Sequence, residues 1–168
     1  MSSLQRTAEA FLAAFNNLSA SEHVALRAEN CTHIFAPASL KPPPPKSNSD
    51  FAAHITNLRS ILAHFPVTAK EINLNEAGRQ ITIWATGVPE FKSEVKGNSK
   101  DGDWEYMGEY IFILDLDEEG KIKRIVEFLD SKNTMVLLEM VEKAKANLAA
   151  QDKSEGREGE EGGNLGVR

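Results

Sequence analysis

Cysteine is almost missing from this chain: a single thiol, Cys31, stands in 168 residues. With no second thiol to pair with, an internal disulfide and a thiolate metal cluster are both excluded, and the expected compartment is the reducing cytoplasm. Cys31 stands beside Thr32 and His33, but neighbours on a strand point to opposite faces, so it reads as a small buried hydrophobe and not as a nucleophile with its base. Long apolar runs are missing too. The longest is a few residues, far short of the roughly 18 of a membrane span, and MSSLQRTAEAFLAAF lacks the charged-then-apolar order of a secretory leader. No cluster of Lys and Arg interleaved with aromatics marks a nucleic-acid surface. No phosphate loop, dinucleotide fingerprint or metal-ligand cluster is written in the sequence either. Neither nucleic acid nor membrane is expected as a partner, and no cofactor or metal is expected.

What is present is an ordinary globular composition, 41% hydrophobic and 26% charged, enough for one domain with a real core. We place that domain over residues 1–150. Residues 151–168, QDKSEGREGEEGGNLGVR, carry more acids than bases and almost nothing apolar, which predicts a disordered acidic tail and supplies part of the net charge of -6.

Leu4, Ala8, Phe11, Leu12 and Phe15 recur at helical spacing, and Ser19-Ala-Ser-Glu22 has the form of a capping box before a second helix. NCTHIFAPASL is β-prone and ended by Pro37, and the prolines 42–45 stiffen the loop that follows. Ser47-Asn-Ser-Asp50 starts another helix, on which Phe51, Ile55, Leu58, Ile61, Leu62 and Phe65 form one stripe up to Pro66. VTAKEINL and RQITIWATG are strands joined around Asn75-Glu-Ala-Gly78, and a polar loop covers about 92–103. GEYIFILDLDEEGKIKRIVEFLDS is a hairpin about Asp117-Glu-Glu-Gly120, and Asp130 opens a last helix carrying Met135, Leu138, Val141 and Leu148.

This order predicts an α+β fold: a curved, mostly antiparallel sheet wrapped as a cone around the N-terminal helices, with an extra helix at the C-terminal end. Alternation puts Tyr106, Tyr110, Phe112 and Leu114 on one face of their strand and Glu109, Ile111 and Ile113 on the other; in the next strand Ile122, Val126 and Phe128 oppose Ile125, Glu127 and Leu129. Both faces are apolar. With helices on one side only, a second copy of the chain is the expected cover for the other, so a homodimer is predicted.

FLAAFNN, CTHIFAPASL and the run from Trp104 through GEYIFILDLDEEGKIKRIVEFLDS together resemble the nuclear transport factor 2-like superfamily, and within it the SnoaL-like proteins of fungal secondary metabolism. The glycine turn, final strand and acid opening the next helix in "GKI…EFLDS" are its hallmark, and the resemblance covers residues 4 to about 149. It implies a cone-shaped cavity used elsewhere by ketosteroid isomerases, scytalone dehydratase, polyketide cyclases and small isomerases of meroterpenoid pathways, and also folds that catalyse nothing. The expected activity is therefore isomerisation, cyclisation or dehydration of a hydrophobic polycyclic natural product without a cofactor. The alternative is a non-catalytic small-molecule-binding or dimerisation module. The tyrosine and paired acids of the steroid isomerases have no matching motif here, and the scytalone dehydratase histidines correspond only loosely to His33 and His54.

The candidate catalytic residues rest on position and chemistry. His54 lies within the apolar stripe of its helix, and His33 lies on the first strand beside the proline loop, and each is able to move a proton near neutral pH. Glu109 and Glu127 interrupt apolar runs, and if they share a face inside the cone they supply an acid and a base; if that face is the outer one, they meet Lys or Arg at a subunit interface. Asp130 is a candidate, with a helix N-cap as its structural alternative. Phe35, Leu58, Trp84, Trp104, Tyr106 and Tyr110 are the candidates for lining a substrate cavity.

Overall fold

The computed structural model describes residues 2–161. Ser2 caps helix α1 (Ser3–Asn16) by accepting from the Gln5 amide, and the spacing of Leu4, Ala8, Phe11 and Phe15 turns all four into the core. Ser19 caps α2 (Ala20–Ala25) through the Glu22 amide, and the chain then enters β1 (Arg27–Ala36), three residues ahead of the predicted strand. At α3 (Asn48–Arg59) the capping box is complete: Ser47 Oγ accepts from the Asp50 amide and the Asp50 carboxylate accepts from the Ser47 amide.

The predicted stripe runs past the end of α3. Leu62–His64 is a short strand, β2, because Pro66 drives the residues before it out of helical geometry, and Leu62 pairs with Phe91. Next come β3 (Val67–Asn75), β4 (Gln80–Gly87), β5 (Glu90–Phe91), the one-turn α4 (Ser93–Lys96), β6 (Gly108–Leu116) and β7 (Ile122–Leu129). Helix α5 starts at Ser131 and continues to Glu161, so it does not stop at the boundary expected near residue 150, while residues 162–168 of the expected tail lie outside the described residues.

The main sheet has the order β1-β7-β6-β4-β3, antiparallel except where β1 runs parallel to β7. Its inner face, with Ile81, Ile83, Phe112, Leu114 and Ile125, closes on Phe11 and Phe15 of α1 and Phe51 and Ile55 of α3, giving the expected α+β architecture. The β6–β7 turn forms because Asp117 Oδ1 accepts from the amides of Glu119 and Lys121, both at 2.9 Å, and Gly120 takes the left-handed φ of +80° that disfavours a side chain. On its far edge β1 is clamped at one residue: His33 and Lys46 exchange two backbone hydrogen bonds of 2.9 Å, which pins the end of the proline segment against the strand.

Candidate functional site

Register decides which side chains meet. Parallel pairing sets Phe35 opposite Glu127 and His33 opposite Ile125, and alternation turns Cys31, His33 and Phe35 of β1 and Ile125, Glu127 and Leu129 of β7 toward the helices. Across these strands His33 Nε2 lies 2.8 Å from Glu127 Oε2. On its other side His33 Nδ1 lies 3.0 Å from Nη2 of Arg27, at the start of β1. Phe51 of α3 supplies the platform: the His33 ring stacks on it at 4.3 Å between centroids, and the Arg27 guanidinium lies 3.9 Å from its ring centre. Arg27, His33 and Glu127 are all buried.

Burial governs the charges. Desolvation pushes the Glu127 carboxyl up to about 7, only partly opposed by the positive charge of His54 and Arg27. Desolvation, then Arg27 and Lys46, hold His33 well below the usual histidine range, so it is neutral. Burial lowers Arg27 to about 10, which leaves it a cation at neutral pH. His23 of α2 packs among Phe11, Phe15 and Phe51 with neither ring nitrogen hydrogen-bonded among the described residues, and desolvation followed by the Arg27 charge brings it down to about 3.

His54 is half-buried, with Phe35 at 5.7 Å and Phe51 at 5.9 Å between ring centroids, and desolvation lowers its pKa although the Glu127 charge opposes the shift. It also borders an open groove of about 430 Å³ formed with Pro43, Pro44, Pro45, Lys46, Asp50 and Asn57. Tyr106 and Tyr110 lie in the core with their hydroxyls 3.5 Å apart, and burial raises the phenolic pKa of both. His54 is therefore the histidine that borders the groove and feels the Glu127 charge, whereas His33 hydrogen-bonds Glu127 from inside the wall.

The structure joins His33 to Glu127, sets His54 within the influence of the Glu127 charge beside Phe35 and Phe51, and separates the others. Glu109 does not share a face with Glu127. The β6–β7 turn pairs residues of opposite parity, with Phe112 facing Glu127 and Ile111 facing Phe128, so the odd-numbered Glu109 falls on the outer surface. There it is exposed, accepting from Lys70 Nζ at 2.8 Å and Trp84 Nε1 at 3.1 Å. Trp84 shares that outer face and is 37% exposed, so it lines no part of the cone. Trp104 is buried against Phe91 on the flank, 5.0 Å beneath Lys143. Asp130 accepts from the Asn133 amide at 3.1 Å and its side-chain amide at 2.7 Å, which is the N-cap geometry of α5. Phe35 tilts over His33 at 4.9 Å, and Leu58 packs against the core. Cys31 is buried, and desolvation raises its thiol pKa.

Arg27 and His23 were missed by sequence reasoning. His23 sits in a six-residue helix too short to show a face, and Arg27 lies at the predicted helix-to-strand junction, where an exposed cation is the ordinary expectation. Strand parity offered no signal for Arg27, because the β1–β7 register shifts between Arg27 and Thr32 and breaks the alternation that would relate it to His33.

No protein-family model matches the sequence, and no curated protein is significantly similar to it. Solved structures do match. PrhC from Penicillium brasilianum superimposes with a TM-score of 0.72 at 18% identity, over 88% of this chain and 95% of that one. The BvnE pinacolase from Penicillium brevicompactum gives 0.69 at 22% identity, over 86% and 95%. An NTF2-like protein of unknown function from Burkholderia pseudomallei gives 0.62 at 13% identity, over 80% and 96%. The cone of β1, β7, β6, β4 and β3 closed by α1 and α3 is thus the fold of the nuclear transport factor 2-like proteins, in a form this chain shares with two fungal proteins.

Proposed function

We propose that the chain is a cofactor-independent isomerase, cyclase or dehydratase of fungal secondary metabolism, acting on a hydrophobic polycyclic natural product by general acid–base catalysis. The observation that carries this reading is Glu127: a buried carboxyl raised to about 7, hydrogen-bonded to His33 and set in a wall of aromatic rings. A carboxyl near neutrality gives and takes protons at working pH, which is the requirement of an acid–base catalyst. His54, at the edge of the groove and within the influence of the Glu127 charge, supplies a second proton-transfer group, and the aromatic surroundings suit a ligand with few charges. The fold shared with a protein named as a pinacolase supports this reading.

The test is a comparison of metabolites made with and without the intact gene, followed by incubation of the accumulated compound with the purified protein and no additive. Conversion to a product of equal mass, or of one water less, supports the proposal; unchanged metabolites together with no conversion overturn it. Enclosure of the site favours a second reading, a binding module without catalysis: His33 is fully buried and Glu127 retains 7% exposure, so a ligand must displace side chains to reach them. Binding of the accumulated compound without conversion selects that reading.

We also propose that the outer sheet face pairs two copies. Trp84, Ile111 and Phe128 leave 37%, 36% and 47% of their surfaces exposed on adjacent strands, an apolar area of the kind that marks an interface. Light scattering on the eluting protein is expected to give twice the 18.5-kDa chain mass, and Phe128→Asp to give the monomer mass. A monomeric parent at micromolar concentration rules the pairing out.

A further inference from the structure

We infer that Arg27 is a positioning residue, which locks His33 as the Nε2–H tautomer and thereby makes Oε1 of Glu127 the atom that exchanges a proton with a ligand. The inference rests on the proposed acid–base role of Glu127 and says how that role is set up. A guanidinium has N–H donors and no acceptor, so the 3.0 Å contact between Arg27 Nη2 and His33 Nδ1 requires a bare Nδ1. The single ring proton of neutral His33 then sits on Nε2 and is donated to Glu127 Oε2 over 2.8 Å. The opposite arrangement, with Nδ1 protonated and Glu127 donating to Nε2, sets two N–H donors against each other at Arg27.

Two consequences follow for the carboxyl. Oε2 accepts from His33 in both charge states of Glu127, which makes it the less basic oxygen, so a proton taken up by the group favours Oε1. Oε1 makes no hydrogen bond among the described residues, and the Glu127 side chain retains 9% of its surface open. His33 is also prevented from acting as a base, because a second ring proton has to enter at Nδ1, facing the guanidinium. The groups acting on Glu127 are then Arg27 and His33 of β1, His54 of α3 and Tyr110 of β6, of which Arg27 alone is a permanent cation at neutral pH.

Long-range proton–nitrogen correlation spectra of the full chain with ¹⁵N-histidine, His33 being assigned from a His33→Gln variant, read the tautomer directly. The expected result at pH 7 is a neutral His33 protonated at Nε2. Arg27→Met is expected to release a mixture of tautomers and to move the Glu127 carboxyl ¹³C titration upward by about one pH unit, through loss of the nearby cation. Arg27→Lys, which keeps a cationic donor, is expected to restore both. If the catalytic reading holds, Arg27→Met also lowers turnover by about 10- to 100-fold and moves the Glu127 limb of the pH–rate profile by the same interval. A parent His33 protonated at Nδ1, or as imidazolium, overturns the inference, as does an Arg27→Met protein with an unchanged tautomer and titration. Should Arg27→Met fail to fold, the parent and Arg27→Lys spectra still decide. These readouts do not depend on turnover, so an inactive parent removes the catalytic reading while the tautomer lock is judged on its own.

Discussion

Glu127→Gln is expected to lower turnover by about 10²–10⁴-fold with the fold retained, the loss typical of removing a general acid or base. Glutamine keeps the volume and an oxygen to accept from His33 Nε2, so stacking on Phe51 is undisturbed and the change isolates proton transfer. The same variant carries a signature in stability. The folded pKa of Glu127 is raised from the ordinary 4.5 to about 7, so the stability this group contributes is fully present below 4.5 and is lost as pH rises through 7. Relative to the parent, Glu127→Gln therefore gains about 3 kcal/mol between pH 4.5 and pH 8. Urea unfolding of the two proteins at both pH values measures this difference, and undiminished turnover in the variant eliminates Glu127 as the proton-transfer group.

Acid is expected to unfold the protein chiefly through its histidines. His23 is lowered from 6.5 to about 3, so its contribution to stability is present above 6.5 and is lost as pH falls toward 3. The full loss amounts to about 5 kcal/mol, a large part of a typical domain stability of about 5–15 kcal/mol. His33 and His54 are lowered too and act in the same direction, whereas Glu127 opposes them between 4.5 and 7; with three groups against one, stability rises from pH 4.5 to 6.5. His23→Leu removes this titration without adding a polar atom among Phe11, Phe15 and Phe51, and is expected to move the acid-unfolding midpoint down by about half a pH unit or more. An identical midpoint in the variant, or a His23 ring in the parent that titrates near 6.5, contradicts this account.

Local signals in the sequence carried the fold, and tertiary register carried the site. Ser47 with Asp50, Asp117 with Gly120, and the alternating strands each specify their geometry over a few residues, and the structure has a helix start, a turn and strands at those places. Which face of β7 meets which face of β6 depends on the residues absorbed by the turn and the irregularity at Asp115 and Leu116, and a slip of one residue exchanges the faces. That is why Glu109 and Glu127 looked like neighbours and stand on opposite surfaces. Ile61 and Leu62 extended the helical stripe of α3 on paper because a buried strand residue and a buried helix residue have the same apolar identity. Arg27 gave no warning, since its burial depends on the Phe51 ring and on a carboxylate far along the chain.

The parallel ladder between β1 and β7 has a kinetic meaning. His33 and Glu127 are 94 residues apart in sequence, so their hydrogen bond closes a loop containing α3, β2 to β6 and both hairpin turns. Such a contact is entropically the last to become favourable, whereas the β3–β4 and β6–β7 hairpins form from neighbouring segments. While β7 is undocked, Glu127 is an ordinary hydrated carboxylate and His33 an ordinary hydrated imidazole. Their shifted acidities come into existence together, in the step that commits the chain to its native state.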